Sequence, residues 1–263
     1  MSLPFPNFSP VALNIGPLKV TWYGISYAVG ILLAWRYTLC LLRKHPSSSI
    51  TSKTFDDFVA WAIFAIILGG RLGYILFYKP LYYINNPFEI FCTWEGGMSF
   101  HGGLLGVGLT AFFFCRLKKI PLLHFTDFLA CAAPIGLFLG RLANFVNGEL
   151  FGRITSVAWG VYFPKGGEDP RHPSQLYEAF SEGLLLFFIL FLFARKESSW
   201  KKQGFLTGIG LMGYGLFRIG CEFFRLPDTH IGFFLNHFTW GQLLCLPLIC
   251  LGAFLLKRSV KSL

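Results

Sequence analysis

The sequence predicts an all-α polytopic membrane protein with about seven transmembrane helices, and three observations lead there. Charged residues make up only 14% of the chain, against about a quarter in a typical soluble domain. The mean hydropathy is +0.56. Apolar runs of about 20 residues, long enough to cross the hydrocarbon core of a bilayer as a helix, follow one another along the whole length. One integral membrane domain over residues 1–263 is therefore expected.

The elements follow in order. Residues 1–19 are Pro-rich and mix polar with apolar positions, which suggests a short extramembrane lead-in. The first 18 hold no Lys or Arg, and the first apolar run is too long for the core of a cleavable signal peptide. Residues 20–42 form the first span, followed by Arg43, Lys44 and Lys53 around a Ser-rich loop. The second span, 55–78, is interrupted by Gly69-Gly70-Arg71 and ends in a loop with Pro80 and Pro87. The third span, 97–115, opens at a Gly-Met-Ser-Phe-His-Gly-Gly run and runs into Arg116, Lys118 and Lys119. The fourth is 125–146.

Residues 147–173 are the longest non-apolar stretch, with Pro164, Gly166, Gly167, Pro170 and Pro173. Within it Trp159, Val161, Tyr162 and Phe163 suit a short strand. The fifth span, 174–194, begins with Ser174 as helix cap and Glu178 near the first turn, and ends at Arg195 and Lys196. Spans six and seven are 205–224 and 239–256.

Loops after the odd-numbered spans, with the tail, carry 13 Lys and Arg; the lead-in and the other loops carry 6. Basic loops stay cytoplasmic, so the N-terminus is expected outside and the C-terminus in the cytoplasm. Residues 147–173 then form an extracytoplasmic segment. The net charge of +10 is thereby explained by topology, and no basic tract with interleaved aromatics points to nucleic acid. The seven cysteines are scattered through apolar runs without a Cys-x-x-Cys, so neither a disulfide framework nor a zinc site is expected.

Polar groups inside apolar surroundings mark the candidate site. Arg71, Arg141 and Arg218 lie too deep to be dismissed as helix-end cations and sit beside small residues, which leave room for a bound group. Guanidinium groups suit phosphate, which they grip with paired N–H donors. Arginines converging in a membrane cavity thus point to a phospholipid headgroup or phosphate ester. The alternative is structural: Arg218 pairs with Glu222 one turn on, and Arg71 with a neighbouring carboxylate or carbonyl. The run at 140–155, Gly-Arg-Leu-Ala-Asn-Phe-Val-Asn-Gly-Glu-Leu-Phe-Gly-Arg-Ile-Thr, adds Asn144, Asn147, Glu149 and Gly152 directly after the fourth span. His101 stands between Ser99 and Gly102-Gly103, where it reads either as a hydrogen-bonded structural group or as a base.

That run closely resembles the signature of bacterial prolipoprotein diacylglyceryl transferases: Gly-Arg, any residue, Gly or Ala, Asn-Phe, an apolar residue, Asn, any residue, Glu, two residues, Gly. Ala143 stands where Gly is commoner. The likeness extends to WYGISY at 22–27, LGGRLGYILFY at 68–78, WEGGMSFHGG at 94–103, RHPSQLYE at 171–178 and YGLFRIGCEFFRLPD at 214–228. It covers six of the seven expected spans in order.

The resemblance implies transfer of the diacylglyceryl group of phosphatidylglycerol to the lipobox cysteine thiol of a prolipoprotein signal peptide. A thioether forms and glycerol phosphate is released, at the outer side of the bacterial cytoplasmic membrane. It implies no cofactor or metal, and a monomer is expected. It also implies His101 as base, Arg141 and Arg218 as the essential arginines, and Tyr23, Asn144 and Glu149 as headgroup ligands. Gln175, Tyr177, Glu178, Tyr214 and Glu222 would support them, with Asn147 and Gly152 serving fold and site alike. A lipid or anion transporter with an arginine-lined cavity is the competing class; a duplicated half with its own broken helix would favour it, and none is seen. A membrane scaffold would leave the buried arginines and His101 unexplained.

Overall fold

The computed structural model describes residues 2–6, 8–16, 18–92, 96–226, 233–234 and 238–261. Helices dominate: α1 (Trp22–Lys44), α2 (Ser52–Tyr78), α3 (Pro80–Asn85), α4 (Phe100–Leu117), α5 (Leu122–Val146) and α6 (Ser174–Glu178) come first. A π-helical segment, Ala179–Leu185, joins α6 to α7 (Leu186–Ala194), and α8 (Glu197–Trp200), α9 (Phe205–Glu222) and α10 (Trp240–Lys261) follow. Among the described residues five helices are long and apolar enough to cross a membrane: Trp22–Lys44, Ser52–Tyr78, Leu122–Val146, Ser174–Ala194 and Gly241–Ser259. The protein is multi-pass. The other two expected spans coincide with α4, which is apolar but short, and α9, whose hydropathy is diluted by five glycines, Arg218 and Glu222.

The chain packs as two compact units, residues 39–126 and residues 1–38 with 127–263. In the first, α2 and α4 pack against each other through facing Gly-x-x-x-Gly pairs, Gly69/Gly73 and Gly102/Gly106. A Cβ on Gly69 would stand 2.5 Å from the Gly102 carbonyl oxygen, and one on Gly106 would stand 2.5 Å from that of Ala65. Only hydrogen fits there, so the two backbones touch, which is how helices associate where no hydrophobic effect drives them together. At the other end Phe55, Phe58, Phe114 and Phe125 form a buried ring cluster, with Phe58 and Phe125 edge-to-face at 4.8 Å. Part of the phenylalanine content, 31 residues in all, is thus core, while residues such as Phe77 and Phe88 stay exposed.

The connection from α2 to α4 holds α3 and a short 3-10 turn, Pro87–Phe91. The buried Arg71 side chain clasps it. Its Nε donates to Ile90 O at 2.8 Å, Nη1 to Gly96 O at 2.6 Å and Gly97 O at 3.2 Å, and Nη2 to Glu89 O at 2.5 Å. Gly97 has a left-handed φ of 79°, and a Cβ on it would meet Arg71 Nη1 at 2.8 Å.

In the second unit the lead-in is built, not merely connective. Leu3–Pro4 (β1) pairs in parallel with Val161–Tyr162 (β4), the strand expected from that stretch, and Val11–Ile15 (β2) forms a hairpin with Leu18–Thr21 (β3). That hairpin delays the first helix to Trp22. Phe233–Phe234 (β5) and Phe238–Thr239 (β6) form a further short pair. Asp127, fully buried on α5, caps α9: its carboxylate accepts from Gly204 N at 2.7 Å, and from Thr207 N and Thr207 Oγ1 at 2.8 Å. A carboxylate at a helix N-terminus answers both the orphan N–H groups and the helix dipole. α9 and α10 meet through Gly208 and Gly252, where an added Cβ would stand 3.0 Å and 2.8 Å, respectively, from the opposite backbone oxygen. α10 runs on to Lys261, five residues beyond the expected end of the seventh span, so its basic tail is helical.

The α2–α4 contact makes a prediction. Gly102→Val puts a Cβ with two methyl groups into backbone, which cannot yield as a side chain could, and should cost on the order of 3 kcal/mol. Thermal unfolding in detergent should show a fall of several degrees; an unchanged midpoint would mean that the helices are not held at this contact.

Candidate active site

The C-terminal end of α5 supplies Arg141 and Asn144, and the chain then turns through Asn147, Gly148 and Glu149. Gly148 (φ 60°) and Leu150 (φ 57°) take left-handed conformations, which brings the Glu149 carboxylate back over α5. Its Oε1 accepts from Asn144 Nδ2 at 2.9 Å and from Asn147 Nδ2 at 3.5 Å. The backbone beyond is pinned to α6: Gln175 Nε2 donates to Glu149 O at 2.6 Å and Ser174 Oγ to Leu150 O at 3.1 Å. Ser174 is therefore not the helix cap. The residue preceding the helix is Pro173, and the serine hydroxyl reaches across to the turn instead.

Three arginines and three glutamates meet next to this turn. Glu178 Oε2 lies 3.0 Å from Arg141 Nη1, while its Oε1 receives Arg218 Nη1 and lies 3.4 Å from Arg225 Nη1. Glu182 Oε2 accepts from Arg141 Nη2 at 3.3 Å, and its Oε1 lies 3.7 Å from Arg218 Nη1. Glu222 Oε1 takes Arg218 Nη2 at 2.5 Å, with Arg225 Nε at 3.9 Å, and its Oε2 accepts from Thr239 Oγ1 at 2.8 Å. Gly241 leaves the space that this carboxylate fills. Tyr214 lies within electrostatic reach of Glu182, Arg218 and Arg141.

The electrostatics are set by depth. Glu178 and Glu182 side chains are 0% exposed, whereas Arg141 and Arg218 keep 15% and 12%. The carboxylates form a floor and the guanidiniums the accessible layer above it. Charges this buried cost several kcal/mol each unless paired, and pairing one-for-one leaves the group near neutral. The expected Arg218–Glu222 pair is present, and Arg71 takes the carbonyl alternative, with four of its five N–H groups given to backbone oxygens.

Tyr23 joins Pro10, Thr21, Asn147 and Glu149 in lining a cleft of about 380 Å³, so two headgroup candidates, Tyr23 and Glu149, come together there with Asn147. Asn144 sits at its back, hydrogen-bonded to Glu149. Gly152 belongs to the fold: it bridges to Arg225, its N–H donates to His172 O at 2.8 Å, and an added Cβ would strike the backbone of His172 and Phe224. Tyr177 points away from the arginines: its hydroxyl accepts from Trp159 Nε1 at 2.8 Å and lies 3.1 Å from His172 Nδ1. Burial holds the His172 imidazole below its ordinary pKa, so at neutral pH its Nδ1 can accept the Tyr177 proton. His101 and Arg71 belong to the unit 39–126; His101 stands exposed in the first turn of α4, whose cap is Ser99 Oγ accepting from Gly102 N at 3.3 Å.

Sequence reading missed Arg225, which counted as an ordinary loop cation, and Tyr27, which hydrogen-bonds Tyr23 and lies within electrostatic reach of Arg141. It also left Glu182 without a role. Part of the signal was present: Arg218 and Glu222, like Glu178 and Glu182, stand four residues apart, the spacing of one helix face, whereas Arg225 lies just beyond the end of α9.

Comparison with known proteins gives a consistent result. The family model for prolipoprotein diacylglyceryl transferase matches residues 10–258. The phosphatidylglycerol–prolipoprotein diacylglyceryl transferase of Rickettsia felis is 52% identical over 255 residues, 97% of this chain and 98% of its own. That of Paramagnetospirillum magneticum is 50% identical over 266 residues, 99% and 98% of the two chains. Rickettsia bellii has one at 52% identity covering 97% of each. With the family model matching nearly the whole chain and relatives of that family about half identical over almost their full length, this multi-pass membrane protein is a transferase belonging to the prolipoprotein diacylglyceryl transferase family.

Proposed function

We propose that the protein transfers the diacylglyceryl group of phosphatidylglycerol to the lipobox cysteine of a prolipoprotein signal peptide, at the outer side of the bacterial cytoplasmic membrane. In this reading seven spans place the N-terminus outside, as the distribution of basic loops requires. Residues 140–149 and 171–178 then face the side on which the lipobox emerges. The protein acts as a monomer. The observation that carries the reading is that Arg141, from the family signature run, and Arg218 share the fully buried carboxylates Glu178 and Glu182 while their own side chains stay partly exposed.

The chemistry sets the demands. The thiol gives up its proton, the sulfur attacks the glyceryl carbon that bears the phosphate, and a C–S bond forms as the C–O bond breaks. The electron pair leaves with the phosphate, which goes from diester monoanion to monoester with a second charge developing. Arg141 and Arg218 stabilise that charge, as preorganised donors do when aimed at where charge appears. Their glutamate partners keep them from reorganising. Tyr23, Asn147 and Glu149 present hydrogen-bonding groups suited to the hydroxyls of the glycerol headgroup, and Asn144 orients Glu149. Glu178, Glu222, Tyr214 and Gln175 support this layer. Arg71 acts through the α2–α4 connection, which it holds in place. His101 takes the thiol proton. A free thiol, with a pKa near 8.5, is mostly un-ionised at pH 7, so a base raises the reactive fraction.

Three measurements test this. Purified protein should release glycerol phosphate from headgroup-labelled phosphatidylglycerol with a lipobox peptide and not with its Cys→Ser variant; thiol-independent release, or none, counts against transfer. Arg141→Ala should lower turnover on the order of a hundredfold or more, and wild-type turnover by the folded variant would remove Arg141 from its role. His101→Ala should lose a similar factor at pH 7 and recover much of it by pH 9.5, because the substrate thiol then ionises without help. A deficit independent of pH would argue against His101 as the base.

A further inference from the structure

Glu182 is the buried charge for which neither the family signature run nor the helix geometry alone supplies a reason. Its side chain is 0% exposed, so it touches no substrate. Oε2 accepts from Arg141 Nη2 at 3.3 Å, and Oε1 accepts no hydrogen bond and lies 3.7 Å from Arg218 Nη1. Among the described residues, only Glu178 and Glu182 form ion pairs with both arginines. Glu178 is shared with Arg225, whereas both ion pairs of Glu182 go to the two arginines placed at the phosphate.

The local backbone is shaped to put it there. Glu182 lies in the π-helical segment Ala179–Leu185, and such insertions into α-helices gather at functional sites. The Ser181 hydroxyl donates back to Tyr177 O at 2.7 Å, a bond that bends helices. Gly183 lies against Phe138 on α5: a Cβ there would stand 2.8 Å from Phe138 Cα. That close approach falls one turn before Arg141, and it delivers the neighbouring carboxylate to the arginine.

We infer that Glu182 is a positioning residue for the transfer: it fixes the spacing of the Arg141 and Arg218 guanidiniums so that both address one phosphate. The inference rests on the proposed reaction, since it takes the phosphate site from there. Displacing a reacting group by about 1 Å costs about a hundredfold, and loss of this anchor should be felt at that level.

The test measures kcat and KM for phosphatidylglycerol with the lipobox peptide, in the full-length protein, alongside its thermal midpoint in detergent. Glu182→Gln keeps the size and removes the charge. It should lower kcat between tenfold and a hundredfold, with KM changed far less and the folded protein intact. In an Arg141→Lys background the same change should cost under threefold, because Glu182 acts through that arginine. Should Glu182→Gln not fold, Glu182→Asp carries the test: it keeps the charge, draws it back by one methylene, and should lose about tenfold in kcat at a near wild-type midpoint. Wild-type kcat in the folded variants, or losses that multiply fully in the Arg141→Lys background, would overturn the inference and leave the proposed reaction standing. Absence of thiol-dependent release by the wild type would overturn both.

Discussion

A carboxylate buried in a helix of membrane-spanning length can persist only against positive charge, and this requirement organises the second unit. Glu178 and Glu182 have no exposure, yet both lie within the apolar helix that continues through α7. Each draws guanidiniums from other elements, α5 through Arg141 and α9 through Arg218. Glu222 and Arg225 extend the pairing toward α10 through Thr239. Removing one member of such a set leaves an uncompensated charge, typically worth 3–5 kcal/mol. The helices that carry them are therefore tied by chemistry that also leaves two guanidinium faces accessible.

Charge pairing alone would not bring these elements close enough. Glycine does that, at contacts where a methyl group would meet backbone: Gly69 and Gly102 between α2 and α4, Gly208 and Gly252 between α9 and α10, and Gly183 of the π-helical segment against Phe138 of α5. Apolar area provides little force between helices in lipid, so close approach with van der Waals and polar contacts has to serve. The Gly183 contact with α5 also sets the neighbouring Glu182 on Arg141.

Function then draws on what the pairing leaves over. In the proposed reaction the arginines, already held by buried carboxylates, would meet an arriving phosphate without rearranging, which is the condition under which electrostatic stabilisation is strongest. The cleft lined by Tyr23, Asn147 and Glu149 holds groups able to hydrogen-bond hydroxyls, and its Glu149 accepts from Asn144 and Asn147. Under that proposal the arginines would serve the phosphate and the cleft the hydroxyls of a glycerol phosphate headgroup.

Much of this was legible in the chain itself, because the signals are local. Spanning helices follow from apolar runs, the strand near Val161 from aromatic and branched residues between Gly and Pro, and the family from motifs that need no partner to be read. The depth of Arg141 and Arg218 already marked them as functional or paired. What stayed hidden depends on which side chains meet across elements. Nothing local says that Arg71 closes on four backbone carbonyls, that Ser174 reaches Leu150 rather than capping its helix, or that Tyr177 turns toward Trp159 and His172. Arg225 looks like any loop cation until the end of α9 brings it to Glu178. The sequence by itself determined the helices, the membrane and the family; only the tertiary structure decided how the buried charges pair, because a charge in an apolar interior is satisfied by whichever opposite charge the packing brings within reach.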